Sequence, residues 1–353
     1  MKFKFFYYSI LLYYLLARIS YAQQVILNTN YENFFDNQWS TISTLTSANS
    51  SLSQYSGIFT YWYNPALYKA KPKTEIEASY LTFPDQDLRS WSAGFLKSEL
   101  KSTFVLGYIN SRSYSVVDGK SFFKNQNFNQ SFSTNFNLES FFMGYAYVQG
   151  IFTIGGSFKY TYKNFGDMLL TNSFAFDLGI NFINNKRRNF AFIVQNASGS
   201  HEFRKYNLSL LTDYLNFQNH QSPVVFQDVA HSVSLSTLVL CFKENFYETT
   251  DLKSSFLVDL QNFIGNNPTY LINSTLFSLN FKSCIESIMF NKYFFKISTM
   301  GIFKNLNDRY TVPYSFGMGY LNDKFRIELG IVNQIRLNES NWIWGINLSC
   351  NVN

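Results

Sequence analysis

WIWGINLSCNVN, residues Trp342 to Asn353, alternates between two kinds of side chain. Trp342, Trp344, Ile346, Leu348, Cys350 and Val352 share one parity, and Gly345, Asn347, Ser349, Asn351 and Asn353 share the other. Successive side chains of a strand point to opposite faces, so this is a strand with one apolar and one polar side. The pattern recurs upstream: Phe174, Phe176, Leu178, Ile180 and Phe182 alternate with Ala175, Asp177, Gly179 and Asn181, and Phe190, Phe192 and Val194 continue it.

Further strands are expected at Thr74 to Phe83, Ser90 to Ser98, Lys101 to Asn110, Glu139 to Val148, Gly150 to Tyr162, Val229 to Phe242 and Leu252 to Phe263. Others are expected at Tyr270 to Phe281, Tyr293 to Phe303, Thr311 to Tyr320 and Lys324 to Gln334. With Asn189 to Asn196, the strand around Phe176 and the last one, the total is fourteen. Aromatics form 20% of the chain and charged residues only 15%. Repeated amphipathic strands, scarce charge and abundant aromatics together predict an all-β fold, a transmembrane antiparallel barrel whose aromatic girdles meet the two membrane interfaces.

The N-terminus reads as a secretory leader. Lys2 and Lys4 precede an apolar run from Phe5 to Ala17, and Ser20-Tyr21-Ala22 offers small residues where a signal peptidase cuts, so residues 1-22 are expected to be removed. Past Ala22 no apolar stretch reaches the roughly 20 residues of a membrane helix, which leaves strands as the way across. The leader takes three cations and no acid, lowering the net charge of +6 to +3, too little to suggest a nucleic-acid partner. Cys241, Cys284 and Cys350 show neither disulfide nor metal spacing, and no cofactor is expected.

Connections should alternate in length, short on the periplasmic side and long outside. Ser111 to Leu138, polar and Asn-rich, is expected to be extracellular, and Ala197 to Asp228 a surface excursion, although Tyr206 to Leu215 could equally be strand or helix. Lys282 to Lys292 breaks the rule as a long turn on the short side. Gln23 to Lys73 is too short for a core of its own, yet Ile58-Phe59-Thr60-Tyr61-Trp62-Tyr63 is too apolar for a solvated tail, which suggests a segment packed into the lumen.

Tyr61-Trp62-Tyr63-Asn64-Pro65-Ala66-Leu67 resembles the "YWNPAGL" segment before the first strand of the bacterial PorV and PorQ family, related in fold to the FadL long-chain fatty acid transporters. Ser173-Phe174-Ala175-Phe176-Asp177-Leu178-Gly179 is similar to that family's "AFDLG" strand, and Phe192 to Gly199 to its "SxxNxGG" strand end. The resemblance implies a fourteen-strand outer-membrane barrel, residues 74-353, with residues 23-73 as a hatch in the lumen. It places Asn64, Pro65 and Ala66 where hatch joins wall. The family's Gly after Ala is Leu67 here.

No catalytic constellation is visible, and no enzyme is expected. Asp228 and His231, three apart on a strand, project to opposite faces, and the other histidines are His201 and His220. Asp177 and Glu328 stand out as carboxylates on polar strand faces, able to contact a solute, to pair with hatch cations or to keep the lumen wet. Two functions remain open: passive transport or binding of a hydrophobic molecule such as a fatty acid, and a cell-surface platform, secretion-system component or adhesin that receives secreted proteins. Outer-membrane lipid is a partner in either case.

Overall fold

The computed structural model describes residues 41–48, 50–53, 57–67, 72–83, 88–113, 116–118, 131–133, 136–165, 169–185, 187–197, 200–206, 229–234, 236–264, 279–299, 303–304, 310–311, 314–336 and 339–352. The leader, Asp228, His220 and residues 207–215 lie outside them.

Nearly all the structure is strand. The first half contains β1 (Lys73–Phe83), β2 (Leu88–Ser98), β3 (Ser102–Ser113), β4 (Val116–Asp118), β5 (Ser131–Ser133), β6 (Phe136–Gln149), β7 (Phe152–Phe165), β8 (Leu169–Asn185), β9 (Arg188–Gln195) and β10 (Ser200–Tyr206). The second half contains β11 (Val229–Ser234), β12 (Ser236–Glu248), β13 (Leu252–Ile264), β14 (Leu279–Met289), β15 (Tyr293–Thr299), β16 (Phe303–Lys304), β17 (Tyr310–Thr311), β18 (Tyr314–Leu321), β19 (Phe325–Arg336) and β20 (Glu339–Asn351). Before them come a one-turn helix α1 (Ile42–Leu45) and a 3-10 turn, Ile58–Trp62.

Sixteen of these strands form one antiparallel sheet. β9 and β10 lie end to end along β8, facing residues 178–185 and 169–174, and β11 and β12 lie end to end beside them. Each such pair is one interrupted strand, so the sheet is a fourteen-strand barrel, closed because β1 pairs with β20 and β8 with β9. Closure leaves no sheet edge to satisfy, the condition for β-structure in lipid. Two small ribbons, β4 with β5 and β16 with β17, stand apart.

Parity decides what faces lipid. On β20, Trp344 is 52% exposed while Asn347 is fully buried, and Ile346 and Leu348 join the exposed side. Outward Ile76, Trp91, Phe104, Phe176, Ile180 and Ile297 extend this apolar belt around the barrel. At one end every described connection is three residues or fewer: 99–101, 150–151, 186–187, 249–251, 290–292 and 322–324. Lys73 and Asn351, where the barrel begins and ends, meet at that same end.

Several expectations need correction. Strand ten is Leu279–Met289, inside the stretch read as a long turn, and the real turn is Phe290 to Lys292, with Phe290 and Asn291 in left-handed backbone. Residues 270–278 of the expected strand lie outside the described residues. The misreading came from Lys282, Ser283 and Glu286, polar enough to suggest a loop, which point inward. Ser200–Tyr206, placed in a surface excursion, is strand β10. The expected loop from Ser111 to Leu138 is narrower, because β3 runs to Ser113, β6 begins at Phe136 and the β4–β5 ribbon lies between. The strand expected to reach Phe303 stops at Thr299, and the next begins at Tyr314.

Candidate functional site

Residues 41 to 67 carry no Asp, Glu, Lys, Arg or His, yet their described part is buried almost throughout. They contact the wall on all sides and so run inside the barrel. α1 begins with a capping box: Thr44 N–H donates to Thr41 Oγ1 at 3.2 Å, and Thr41 N–H to Thr44 Oγ1 at 3.2 Å. Its apolar residues Ile42, Leu45 and Ala48 pack on Leu81, Val332 and Ile343 of the wall.

The 3-10 turn fills a different sector. Ile58, Phe59 and Trp62 cluster with Leu96 on β2, Val105 and Ile109 on β3 and Phe142 on β6. The Trp62 and Phe142 rings meet edge to face at 5.3 Å, a favoured aromatic geometry.

Wall carboxylates tie down the uncharged segment. Glu328 accepts from Thr46 Oγ1 at 2.6 Å, Asp259 from Ser51 N–H at 2.7 Å, Glu286 from Ser53 Oγ and Glu77 from Ile58 N–H. Each acid also has a wall cation. Lys296 Nζ is 2.9 Å from Glu328, Arg326 is 3.3 Å from Glu77, Lys243 is 3.7 Å from Glu286, and Lys282 sits opposite Asp259 on β14. The inner face of these strands is therefore ionic and internally neutralised, as buried charges must be.

Asn64, Pro65 and Ala66 seat on β7 and β8. Asn64 Nδ2 donates to Ser51 O at 2.9 Å, and its Oδ1 accepts the Ala66 N–H at 2.9 Å, an Asx-turn that fixes the local chain. Gly155 and Gly179 make this approach possible. A Cβ at Gly155 would collide with the Pro65 carbonyl and lie 2.9 Å from Ala66 Cα, and one at Gly179 would lie 3.1 Å from Ala66 Cβ. Replacing Gly155 by Leu should push Asn64 to Ala66 off the wall. Bilayer recordings should then show a leak smaller than that of a chain lacking the segment, and a fully closed variant would speak against this seat.

Asp177 and Glu328, singled out from the sequence, are both buried and lie on separate parts of the inner face. Asp177 Oδ2 is 2.5 Å from Lys159 Nζ, and its Oδ1 accepts the Asn196 N–H at 2.9 Å. Neither acid pairs with a cation of the inner segment, which has none. Sequence reading missed Glu77, Asp259 and Glu286, whose signal was a charge on the polar parity of an otherwise weakly charged strand. The dyad considered for Asp228 and His231 lies outside the described side chains.

The seat coincides with a discontinuity in the wall. β9 ends at Gln195, whose Nε2 donates to Tyr63 O at 3.2 Å, and the strand resumes as β10 only at Ser200. Beside it, β11 gives way to β12 between Ser234 and Ser236.

No family model matches the sequence, and no curated protein matches it. The fold has solved counterparts. The toluene transporter TodX of P. putida aligns over 90% of this chain and 99% of its own, with a TM-score of 0.56 and 11% identity. A Pseudomonas aeruginosa FadL homologue aligns over 88% and 98%, with a TM-score of 0.53 and 9% identity. The Ralstonia pickettii toluene transporter TbuX aligns over 91% and 100%, with a TM-score of 0.52 and 10% identity.

The fold is FadL-like. With its closed strands and apolar belt, this FadL-like chain is an outer-membrane barrel. The likeness carries the FadL side of the sequence resemblance and not its PorV and PorQ side.

Proposed function

We propose that this chain is a passive outer-membrane channel for hydrophobic molecules and not an enzyme, with the segment before β1 as its hatch and Asn64, Pro65 and Ala66 as the joint between hatch and wall. In this reading residues 1-22 direct export, 23-73 form the hatch and 74-353 the barrel. One observation carries it: the apolar sector of the inner face, Leu96, Val105, Ile109 and Phe142, is covered by the hatch's own Ile58, Phe59 and Trp62 beside the break in the wall. Fully burying such a side chain contributes about 1.5 to 3 kcal/mol, so uncovering three of them is costly unless something equally apolar takes their place. An apolar solute does so; water and ions do not. The TodX and TbuX counterparts are described as toluene transporters, which agrees with an apolar solute of modest size.

The test is a reversible lock. Ala66→Cys with Gly179→Cys brings two Cβ positions close to disulfide range, in a background where the exposed Cys350 is replaced by Ser. Cells carrying this protein should take up labelled fatty acid or toluene when reduced and lose uptake when oxidised. Uptake indifferent to the lock would refute the hatch. No uptake by the unmodified protein would favour a platform for secreted proteins.

A further inference from the structure

Strand seven is overlong where it breaks. Between the pairs Leu178–Val194 and Phe174–His201, strand six has three residues and strand seven has six. Such a surplus interrupts the ladder and leaves backbone groups to be satisfied in other ways. Asn196 adopts left-handed backbone, φ 53°, a region Asn enters more readily than most residues.

Its N–H is taken by the Asp177 carboxylate, and the Ala197 N–H goes to Phe176 O at 2.6 Å. The same carboxylate, through its other oxygen, holds Lys159 Nζ at 2.5 Å. That ammonium stands 4.7 Å from the centre of the Trp62 ring. A cation this close to an indole face, and largely withdrawn from water, is attracted to it more strongly than at an exposed site. One continuous chain of contacts thus runs from the aromatic end of the inner segment, through Lys159 and Asp177, to the backbone at the break.

We propose that Lys159 and Asp177 are positioning residues that couple Trp62 to the wall at Asn196 and Ala197, so that the inner segment cannot leave its seat without loosening the break. The functional consequence rests on the hatch reading, because a solute that displaces Trp62 would then also release the adjacent wall. The ion pair is suited to this task. Asp177 uses both oxygens at once, and Lys159 sits between a fixed carboxylate and a ring belonging to the segment that would move.

Amide hydrogen exchange on the folded, detergent-solubilised protein reads the coupling without any solute. Lys159→Met removes the charge but no hydrogen-bond partner of either amide set. It should accelerate exchange about tenfold or more at Asn196 and Ala197 and also at Tyr63 and Asn64, with the amides of β2 unchanged. Lys159→Arg, which keeps the cation, should stay near the unmodified protein. A folded Lys159→Met barrel in which only one set, or neither, exchanges faster would overturn the proposal.

If Lys159→Met does not fold, Trp62→Leu tests the same link from its other end. Asn196 and Ala197 should exchange faster although no contact of theirs has been altered, and unchanged exchange there overturns the coupling. The outcomes remain separable from those of the hatch reading. Coupled exchange with no solute uptake counts against transport alone, and uptake with uncoupled exchange counts against the coupling alone.

Discussion

Deletion of Gln23 to Trp62 should convert a closed protein into an open pore. Barrels of about eight strands are filled by their own side chains, whereas sixteen to eighteen leave an aqueous channel, so a fourteen-strand wall emptied of its contents has room for water. The buried part of residues 41 to 62 supplies those contents. It covers the ionic wall through Thr46, Ser51, Ser53 and Ile58, and the apolar wall through Phe59 and Trp62. Removing it exposes Glu77, Asp259, Glu286, Lys296 and Glu328 to solvent, a lining that favours ions. Planar bilayer recordings should show large, steady conductance for the deletion and almost none for the intact chain. Equal conductance in both would dismiss the hatch and the structural case for transport with it.

Charge should be felt on both faces of the wall, for opposite reasons. Phe176 and Ile180 face lipid, so either replaced by Lys should cost about 2 to 4 kcal/mol near the bilayer midplane. On the inner face, simple alternation suggests tolerance of polar change, and Asp177 would then be cheap to replace. The geometry says otherwise. Glu328 and Lys296 are both fully buried and 2.9 Å apart, and removing one partner leaves the other charged and unpaired. Glu328→Gln should therefore cost about 3 to 5 kcal/mol in reversible urea unfolding. Adding Lys296→Met should recover most of that loss, because an uncharged inner site has no ion left to compensate. A double variant no more stable than Glu328→Gln alone would mean that the stranded lysine is not the source of the cost. Asp177, bound to Lys159 and Asn196, belongs with Glu328 in this respect.

Much of the wall was legible from residue parity. Trp344, Ile346 and Leu348 could be set outward and Asn347 inward without knowing any neighbour, because side-chain direction in a strand depends only on position along it. Strand ten was not legible. Lys282 and Glu286 look like loop residues until Asp259 and Lys243 stand beside them on β13 and β12. The Asn64-Pro65-Ala66 segment was recognisable, but its seat depends on Gly155 and Gly179, about a hundred residues away. The interruption at Asn196 was hidden because β9 and β10 each read as ordinary chain, and only their shared neighbour β8 reveals that they are one strand with surplus residues.

The sequence by itself determined that this chain is a run of amphipathic strands with a lipid face and an inner face, since the two-residue period is local chemistry. Only the tertiary structure decided which charges are compensated, where the wall is interrupted and how the inner segment is held. The bonds that settle those questions join residues far apart in the chain, 282 positions for Thr46 and Glu328 and 208 for Ser51 and Asp259. Such partners come within reach only when the ring closes, and no local pattern in either segment encodes the distance between them.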